Sequence, residues 1–255
     1  MESLEEQWKE FFGSGFYTEA WGMRTDYSKT KEQVDGVLNL LGPVTGSHIL
    51  DWCGGWGRHS FLLAQLGYQV TLLDFAPNHI QRAKNKLARK KYRKLKIKCL
   101  CKDFRETPPE IQADFAINMF TSGIGYLTQE DDLKALQSLN LALKPKAKFL
   151  LDTMNLFWIV KNYQSDSGRY SPKDERVLVE KRNFNFLENR NVSEIFYFNG
   201  LQKIETKLDH RLYSALELIN LLKQADFETL EVYGDFDGSP YNFDSKRLII
   251  ISQKN

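Results

Sequence analysis

Short apolar runs and longer amphipathic segments alternate along the first 150 residues of the chain. Runs of mainly apolar residues predict buried strands, and apolar residues that recur every three or four positions predict helices. The predicted strands cover residues 49–50, 70–73, 97–101, 114–120 and 149–151, and the helices between them cover 60–66, 78–91 and 131–143. Strands that alternate with helices in this way favour an α/β fold with a parallel sheet.

The pattern changes between residues 156 and 212. Polar and apolar residues alternate there in three segments, 176–186, 192–198 and 204–212, with Asn-rich turns between them. This alternation predicts antiparallel strands, so we expect a β insertion at this point. The remaining predicted elements are helices at 4–12, 30–41 and 214–225 and strands at 229–232 and 246–252.

Residues 47–87 carry the strongest functional signal in the chain. The first strand ends on Asp51, the turn after it contains Gly55 and Gly57, and the next strand ends on Asp74. Two parallel strands joined by a helix bring these residues together at the carboxyl ends of the strands, where doubly wound sheets bind ligands. Glycines allow the unusual backbone dihedrals of such a turn and the close approach of a ligand.

The residues of this turn discriminate between nucleotide-like ligands. A dinucleotide turn has the form G-x-G-x-x-G, whereas Ser60 takes the place of the third glycine here. Asp51 would repel a pyrophosphate but suits the ammonium or sulfonium group of S-adenosylmethionine. Asp74 would accept hydrogen bonds from ribose hydroxyls in either type of cofactor.

The segment LDWCGGWG at residues 50–57 resembles motif I of the class I S-adenosylmethionine-dependent methyltransferases, whose usual form is L-D-x-G-C-G-x-G. Cys53 stands where the first glycine is usual, which constrains the backbone there, and the two later glycines are in place. The continuation through Arg58 and His59 resembles small-molecule members of the family, including glycine N-methyltransferases and sugar-amine N-methyltransferases.

The resemblance implies a fold and a cofactor. The fold would be α/β, with a Rossmann-like sheet of seven strands whose last strand is antiparallel, and residues 1–255 would form one domain. Residues 1–42 would form a helical lid, and the antiparallel insertion at 156–212 would cap the ligand crevice. The cofactor would be S-adenosylmethionine, which becomes S-adenosylhomocysteine in the reaction.

The family pattern also assigns roles to residues outside motif I. Lys29 precedes a helix at a position where relatives carry an arginine that faces the cofactor carboxylate. Asp103 would accept the adenine amino group, and Phe104 would flank the adenine ring. The complete predicted cofactor site is Tyr17, Lys29, Asp51, Gly55, Gly57, Asp74, Phe75, Asp103, Phe104, Asn118 and Met119.

The segment TSGIGYL at 121–127 resembles the pattern of small-molecule enzymes after the fourth strand. It lacks the Asn-Pro-Pro-aromatic motif expected for methylation of exocyclic amines in nucleic acids, and no Pro-Cys nucleophile for pyrimidine C5 chemistry is present. The predicted catalytic residues are Tyr126, His210 and Arg211. For His210, a structural, hydrogen-bonded role competes with that of a general base.

Charge and cysteine content restrict the partners. The formal net charge of +2 indicates neither a nucleic-acid nor a membrane partner. The basic run at 89–98 is expected to be a solvated helix end and loop, with an RNA-binding patch as the alternative. Cys99 and Cys101 share one face of a strand and are predicted to be buried thiols; no metal is expected. An acidic N-terminus without a signal peptide, and no apolar run near the ~20 residues that span a bilayer, predict a cytoplasmic protein.

These features predict a methyltransferase that acts on a nitrogen or oxygen atom of a small molecule. The alternative from a different class is a non-catalytic nucleotide-binding module that regulates a partner through its cap. A further alternative is an RNA methyltransferase that uses the basic run. A homodimer is compatible with the sequence.

Overall fold

The structure of the chain is a computed structural model that describes residues 3–17, 26–171 and 175–255. Its helices include α1 (Leu4–Gly13), α2 (Tyr27–Leu41), α3 (Arg58–Gln65), α4 (Pro77–Leu87), α5 (Gln129–Leu141), α6 (Leu156–Lys161) and α7 (Ala215–Gln224). Its strands are β1 (His48–Trp52), β2 (Gln69–Asp74), β3 (Ile97–Cys101), β4 (Ala113–Asn118), β5 (Leu143–Met154), β6 (Asp166–Ser171), β7 (Arg176–Asn185), β8 (Arg190–Asn199), β9 (Gln202–Arg211), β10 (Phe227–Tyr233) and β11 (Arg247–Lys254).

Seven of these strands form one sheet in the order β10-β11-β5-β4-β1-β2-β3. Strand β11 pairs antiparallel with both of its neighbours, and the pairs from β5 to β3 are all parallel. The predicted α/β fold with an antiparallel last strand is therefore confirmed. Strand order reverses between β1 and β4, so a crevice opens at their carboxyl ends.

Helices cover both faces of this sheet. Ile49 of β1 packs on one face with Val37 of α2, and the next residue, Leu50, packs on the other face with Leu136 of α5 and Leu221 of α7. Successive strand residues point to opposite faces, and both faces are covered. This is why β1 reads as a continuous apolar run that ends at Asp51.

A second, four-stranded antiparallel sheet has the order β6-β7-β8-β9 and covers the segment predicted to cap the crevice, so we refer to it as the cap. Three of its strands were expected from their alternation, whereas β6 and the short helix α6 were not. The six residues of β6 are DSGRYS, and all are exposed or partly exposed. A strand that buries no apolar face carries no periodic hydrophobic signal, so pattern analysis could not detect it.

The two predicted lid helices pack differently. In α1, Phe11 is buried against Leu178 and Tyr197 of the cap. In α2, by contrast, Val34, Val37 and Leu41 belong to the core beside the central sheet. Of the predicted lid, residues 1–2 and 18–25 lie outside the described part of the chain.

Several local predictions need correction. Helix α4 ends at Leu87 and not at residue 91 as predicted. A run of adjacent cations follows, which contains no acidic side chains that could pair with these cations along a helix. Residues 144–147, predicted to form a turn, lie within β5, with Lys146 at a φ of 63°. Cys101 is exposed and Cys99 only partly buried, so the prediction of two buried thiols is wrong. Within the described ranges, no helix is long and apolar enough to cross a membrane.

Candidate active site

A cavity of about 880 Å³ lies at the carboxyl ends of β1, β2 and β4. Its walls come from α1 and α2, from the turns after these strands, and from β6 of the cap. This volume is typical of small-ligand sites. Seven of the predicted cofactor residues line it: Tyr17, Lys29, Gly55, Asp74, Phe75, Phe104 and Met119.

The glycine turn between β1 and α3 follows a backbone path that few side chains tolerate. Gly55 and Gly57 have φ values of 58° and 79°, and Cys53 also has a positive φ, 60°. A Cβ on Gly54 would lie 2.5 Å from Leu72 Cδ1, and one on Gly57 would lie 2.8 Å from Cδ2 of the same residue. The turn thus packs directly on β2, which leaves the backbone of Gly54 and Gly55 as cavity wall.

Asp51 lies beneath this turn and does not line the cavity. Its Oδ2 accepts a 2.5 Å hydrogen bond from the Ser60 hydroxyl, and its buried Oδ1 has no partner among the described residues. Burial raises the pKa of Asp51 to about 6. The carboxyl carbon is 2.6 Å from where a Gly54 Cβ would be, so glycine at 54 brings the cavity close to an unsatisfied oxygen.

Asp74, at the end of β2, forms part of the cavity wall and holds the turn in place. Its carboxylate accepts hydrogen bonds from the backbone N–H of Gly55 (2.8 Å) and of Ala76 (3.0 Å), and His79 Nδ1 lies 3.3 Å away. A carboxylate with two oxygens has about four acceptor positions. Asp74 therefore retains at least one acceptor position for a hydroxyl of a bound ribose.

One end of the cavity is aromatic. Phe75 and Phe104 line it together with Trp8 of α1, whose ring centroid lies 4.0 Å from that of Phe75 and 5.4 Å from that of Phe104. This end suits a flat purine ring. Asp103 is not part of the lining, because Arg105 binds its carboxylate through Nε (3.1 Å) and Nη2 (2.7 Å).

The opposite wall contains residues that sequence analysis did not identify as site residues. Phe120, which is 46% exposed, lines the cavity with a φ of 65°, and Thr121 also has a positive φ of 60°. Buried Asp152 fixes this conformation, since it accepts the Phe120 N–H (2.7 Å) and the Arg247 Nε–H (2.6 Å). Strained non-glycine backbone supported in this way is typical of functional sites.

The three predicted catalytic residues lie together, but outside the cavity lining. His210 stacks on Tyr126 with ring centroids 4.4 Å apart, and the Tyr126 hydroxyl donates to the Thr121 carbonyl (2.9 Å). Burial lowers the pKa of His210 to about 3, so the ring is neutral near pH 7. Arg211 pairs with Glu217 (3.0 Å). This geometry fits the structural alternative for His210.

Two further predicted cofactor residues support the site from behind. Asn118 is buried and donates to the Trp52 carbonyl (3.0 Å), and Gly57 is buried against β2. Besides Trp8 and Phe120, the cavity-lining residues that sequence reasoning had not placed in the site include Phe12, Arg58, Trp56 and Arg169. The side chains of the basic run 89–98 lie outside the lining and are mostly exposed.

The residues present fit S-adenosylmethionine. The aromatic end matches adenine, and Asp74 matches the ribose. The open backbone of Gly54 and Gly55 with the unpartnered oxygen of Asp51 matches a methionine tail that carries an ammonium group. Among the described residues, no group of three or more metal-ligating side chains is present.

Comparison with known proteins places a recognised domain over this crevice. Residues 49–146 match the family model of the methyltransferase domain. A relative from Bacillus subtilis, named "Putative methyltransferase YqeM", is 26% identical over 214 residues, which are 81% of this chain and 84% of the relative.

Solved structures with low sequence identity share the fold. The CcbJ methyltransferase from Streptomyces caelestis superposes with a TM-score of 0.81 at 15% identity, over 95% of this chain and 97% of that one. An S-adenosylmethionine-dependent methyltransferase from Clostridium acetobutylicum gives 0.77 at 16% identity, over 94% and 96%. The amino pentose methyltransferase CalS10 from Micromonospora echinaspora gives 0.69 at 15% identity, over 95% and 98%. The predicted resemblance and the predicted cofactor are confirmed.

Proposed function

We propose that this chain, an S-adenosylmethionine-dependent methyltransferase, transfers the methyl group to a neutral amine of a small molecule. The domain match and the crevice identify the enzyme class and the cofactor. The acceptor is the proposal, and the chemistry of the cavity wall supports an amine over a hydroxyl.

Each carboxylate and histidine of the described lining is in contact with other protein groups, and His79, whose unpartnered Nε2 is buried, is held beside Asp74 where the ribose is expected; this arrangement carries the proposal. The Asp74 carboxylate accepts backbone N–H groups, and Asp26 caps α2 by accepting the Ser28 N–H (3.0 Å). Burial holds the pKa of His59 well below its usual value, and its ring contacts the amide oxygen of Gln33 (3.1 Å). A hydroxyl would need a base to take its proton, whereas a neutral amine already carries a lone pair.

The bound cofactor supplies an electrophilic methyl group on sulfur. The chain itself therefore has to orient the cofactor and the acceptor and to enclose them. The glycine turn and Asp74 hold the donor side, while Phe120 and the cap residue Arg169 border the space left for the acceptor. Correct placement of two reactants can contribute roughly 7–11 kcal/mol to lowering the barrier.

The enclosure supports a small acceptor. Strands of the cap and helix α1 pack on each other through Phe11 and Tyr197, next to the cavity. The structural relative CalS10 is described as an amino pentose methyltransferase, and an amine on a small polar ring would suit a cavity of this size.

A tritiated-methyl screen tests the proposal. Pooled amines and matched alcohols, in which a hydroxyl replaces the amine, are incubated with S-adenosyl-[methyl-³H]methionine and the wild-type enzyme. Label should enter amines and not the matched alcohols, and the variant Asp74→Ala, purified in parallel, controls for contaminating enzymes. Label in alcohols alone, or only in added RNA, would refute an amine acceptor.

A further inference from the structure

Three cationic side chains of the cavity wall have no carboxylate partner among the described residues. They are Lys29 near the start of α2, Arg58 at the start of α3 and Arg169 on β6. Lys29 and Arg169 are exposed at the rim, where water can solvate them, whereas Arg58 is half-buried. Arg58 is therefore the cation whose environment needs an explanation.

The contacts of Arg58 are neutral. Its Nη1 donates to Thr30 Oγ1 (3.1 Å) and to Gln33 Oε1 (2.6 Å), and its guanidinium carbon lies 5.0 Å from the centre of the Phe120 ring. Burial lowers the pKa of this guanidinium. A cation that is partly removed from water and paired only with neutral groups is costly, unless a ligand supplies the negative charge.

The charges of Asp51 and Asp152 act on Arg58, but neither carboxylate forms an ion pair with it, and the carboxylates of the cavity wall do not do so either. Asp26 caps α2 through the backbone N–H and hydroxyl of Ser28, and Asp74 holds the N–H groups of Gly55 and Ala76. Arg247, whose guanidinium carbon lies 5.5 Å from the centre of the Phe120 ring, is already paired with Asp152. Arg58 thus differs from Arg247, although both guanidiniums lie against the same ring.

Bound S-adenosylmethionine would increase the excess of positive charge in the cavity. S-adenosylmethionine has two positive groups, the sulfonium and the ammonium, and one negative group, the carboxylate. If Lys29 faces that carboxylate, Arg58 and Arg169 remain unpaired in a cavity that has gained a sulfonium. Charges of like sign in a partly desolvated site repel strongly, and the remaining partner is the acceptor.

We infer that the acceptor carries an anionic oxygen group, a carboxylate or a phosphate, which binds Arg58 with support from Arg169. This inference rests on the proposed methyl transfer to a small molecule and adds the chemical class of that molecule. The guanidinium of Arg58 would bind two oxygens of the anion and orient the acceptor beside Phe120.

Inorganic phosphate is the probe for this subsite. It is titrated calorimetrically into enzyme saturated with S-adenosylhomocysteine, so the cofactor's own carboxylate is already in place. We expect saturable binding to wild type and at least about tenfold weaker binding to Arg58→Gln, the scale of a hydrogen bond to a charged group. Arg93→Gln, which removes an exposed arginine of the basic run, is the matched control and should bind phosphate like wild type.

Arg58 also links α3 to α2, so a second variant is needed. Arg169→Gln changes only an exposed side chain and should weaken phosphate binding by about threefold, the modest scale of exposed charge pairs. No phosphate binding to the wild-type complex, or binding that neither substitution weakens, would overturn the inference.

The same variants show whether Arg58 binds the anionic group of the acceptor or the carboxylate of the cofactor. If Arg58 instead holds the cofactor carboxylate, Arg58→Gln weakens binding of S-adenosylhomocysteine but not of 5′-methylthioadenosine, which lacks the amino-acid tail. Phosphate would then bind only to the 5′-methylthioadenosine complex, and the assignment to the acceptor would be wrong. An enzyme that binds phosphate but methylates no amine would refute the proposed function alone.

Discussion

The two walls of the cavity are built in different ways. On the sheet side, the glycine turn, Asp74 and Phe104 are fixed by backbone hydrogen bonds and by burial against β1 and β2. On the lid and cap side, the lining residues include exposed side chains such as Tyr27, which is 68% exposed, and Arg169. The first wall is preorganised for one ligand, whereas the second presents replaceable side chains on peripheral elements.

This difference predicts that substitutions in the two walls impair different steps. Changes in the sheet wall should weaken binding of the cofactor, and changes in the lid and cap wall should alter turnover or acceptor choice while the cofactor still binds. Calorimetry with S-adenosylhomocysteine reports the first property, and turnover at saturating cofactor reports the second.

The largest effect is expected for Gly57→Val. A side chain there would adopt a φ of 79°, and its Cβ would lie 2.8 Å from Leu72 Cδ2. Strain of 1–3 kcal/mol plus this overlap should weaken S-adenosylhomocysteine binding by more than about 3 kcal/mol. Gly168→Val is the control, because nothing lies within 4 Å of its added Cβ. Equal cofactor affinity in the two variants would contradict a rigid sheet wall.

Asp74→Ala should have the next largest effect. It removes the acceptor for the Gly55 and Ala76 N–H groups as well as the predicted ribose contact. We expect affinity for S-adenosylhomocysteine to fall by roughly 1.5–3 kcal/mol, the scale for hydrogen bonds to a charged group. Asp74→Asn, which keeps one acceptor oxygen, should lose less. Unchanged affinity in a folded Asp74→Ala protein would exclude this crevice as the cofactor site.

The sheet wall was the part of the site that sequence could predict. Asp51, the glycines and Asp74 lie within 24 residues of one another, on elements whose apolar runs predict the strand–turn–helix path directly. The seven-stranded sheet was anticipated from the resemblance to the methyltransferase family, which motif I carries. Sequence could not show that Asp51 and Asp103 lie outside the cavity lining, where Ser60 binds one carboxylate oxygen of Asp51 and Arg105 binds the carboxylate of Asp103.

The other wall depends on contacts between distant parts of the chain. Phe120 is held by Asp152 and, through it, by Arg247, which is 95 residues further on. Arg169 comes from β6, which has no apolar alternation. Such contacts leave no periodic signal, so Phe120 and Arg169 were missed, and His210, which was assigned to the pocket, is absent from the cavity lining.

A pH experiment tests the role proposed for Asp51. Its pKa of about 6 means that the carboxylate is charged at pH 7 and protonated at pH 5. If it attracts the cofactor ammonium, S-adenosylhomocysteine affinity is retained above pH 6 and falls by up to about tenfold per pH unit below it. Arg58 stays charged over this range, and the comparison with Asp51→Asn isolates the contribution of Asp51. Asp51→Asn should remove this dependence.

Stability of the free protein should respond to pH in the opposite direction. A folded-state pKa above the unfolded value of about 3.9 means that the native state holds the proton more tightly. The contribution of Asp51 to unfolding free energy therefore rises as pH falls from about 6 towards 4, while cofactor affinity declines. If cofactor affinity and stability of the wild type both fall as pH is lowered, and Asp51→Asn shows the same two pH dependences, this role of Asp51 is ruled out.

The smallest effect is expected for His210→Ala, on the cap side. Its ring is buried against Tyr126, is absent from the cavity lining and is neutral near pH 7, because burial lowers its pKa to about 3. Turnover at saturating cofactor should fall by less than roughly 10²-fold, the low end for acid–base catalysis, with S-adenosylhomocysteine affinity unchanged. Tyr126→Phe, which removes only the hydroxyl bonded to the Thr121 carbonyl, should behave in the same way.

Thermal midpoints of both variants identify any loss of turnover that comes from unfolding. A loss of about 10⁴-fold in a folded protein with normal cofactor affinity would instead reveal a dedicated base, and the acceptor would then be a hydroxyl or a protonated amine.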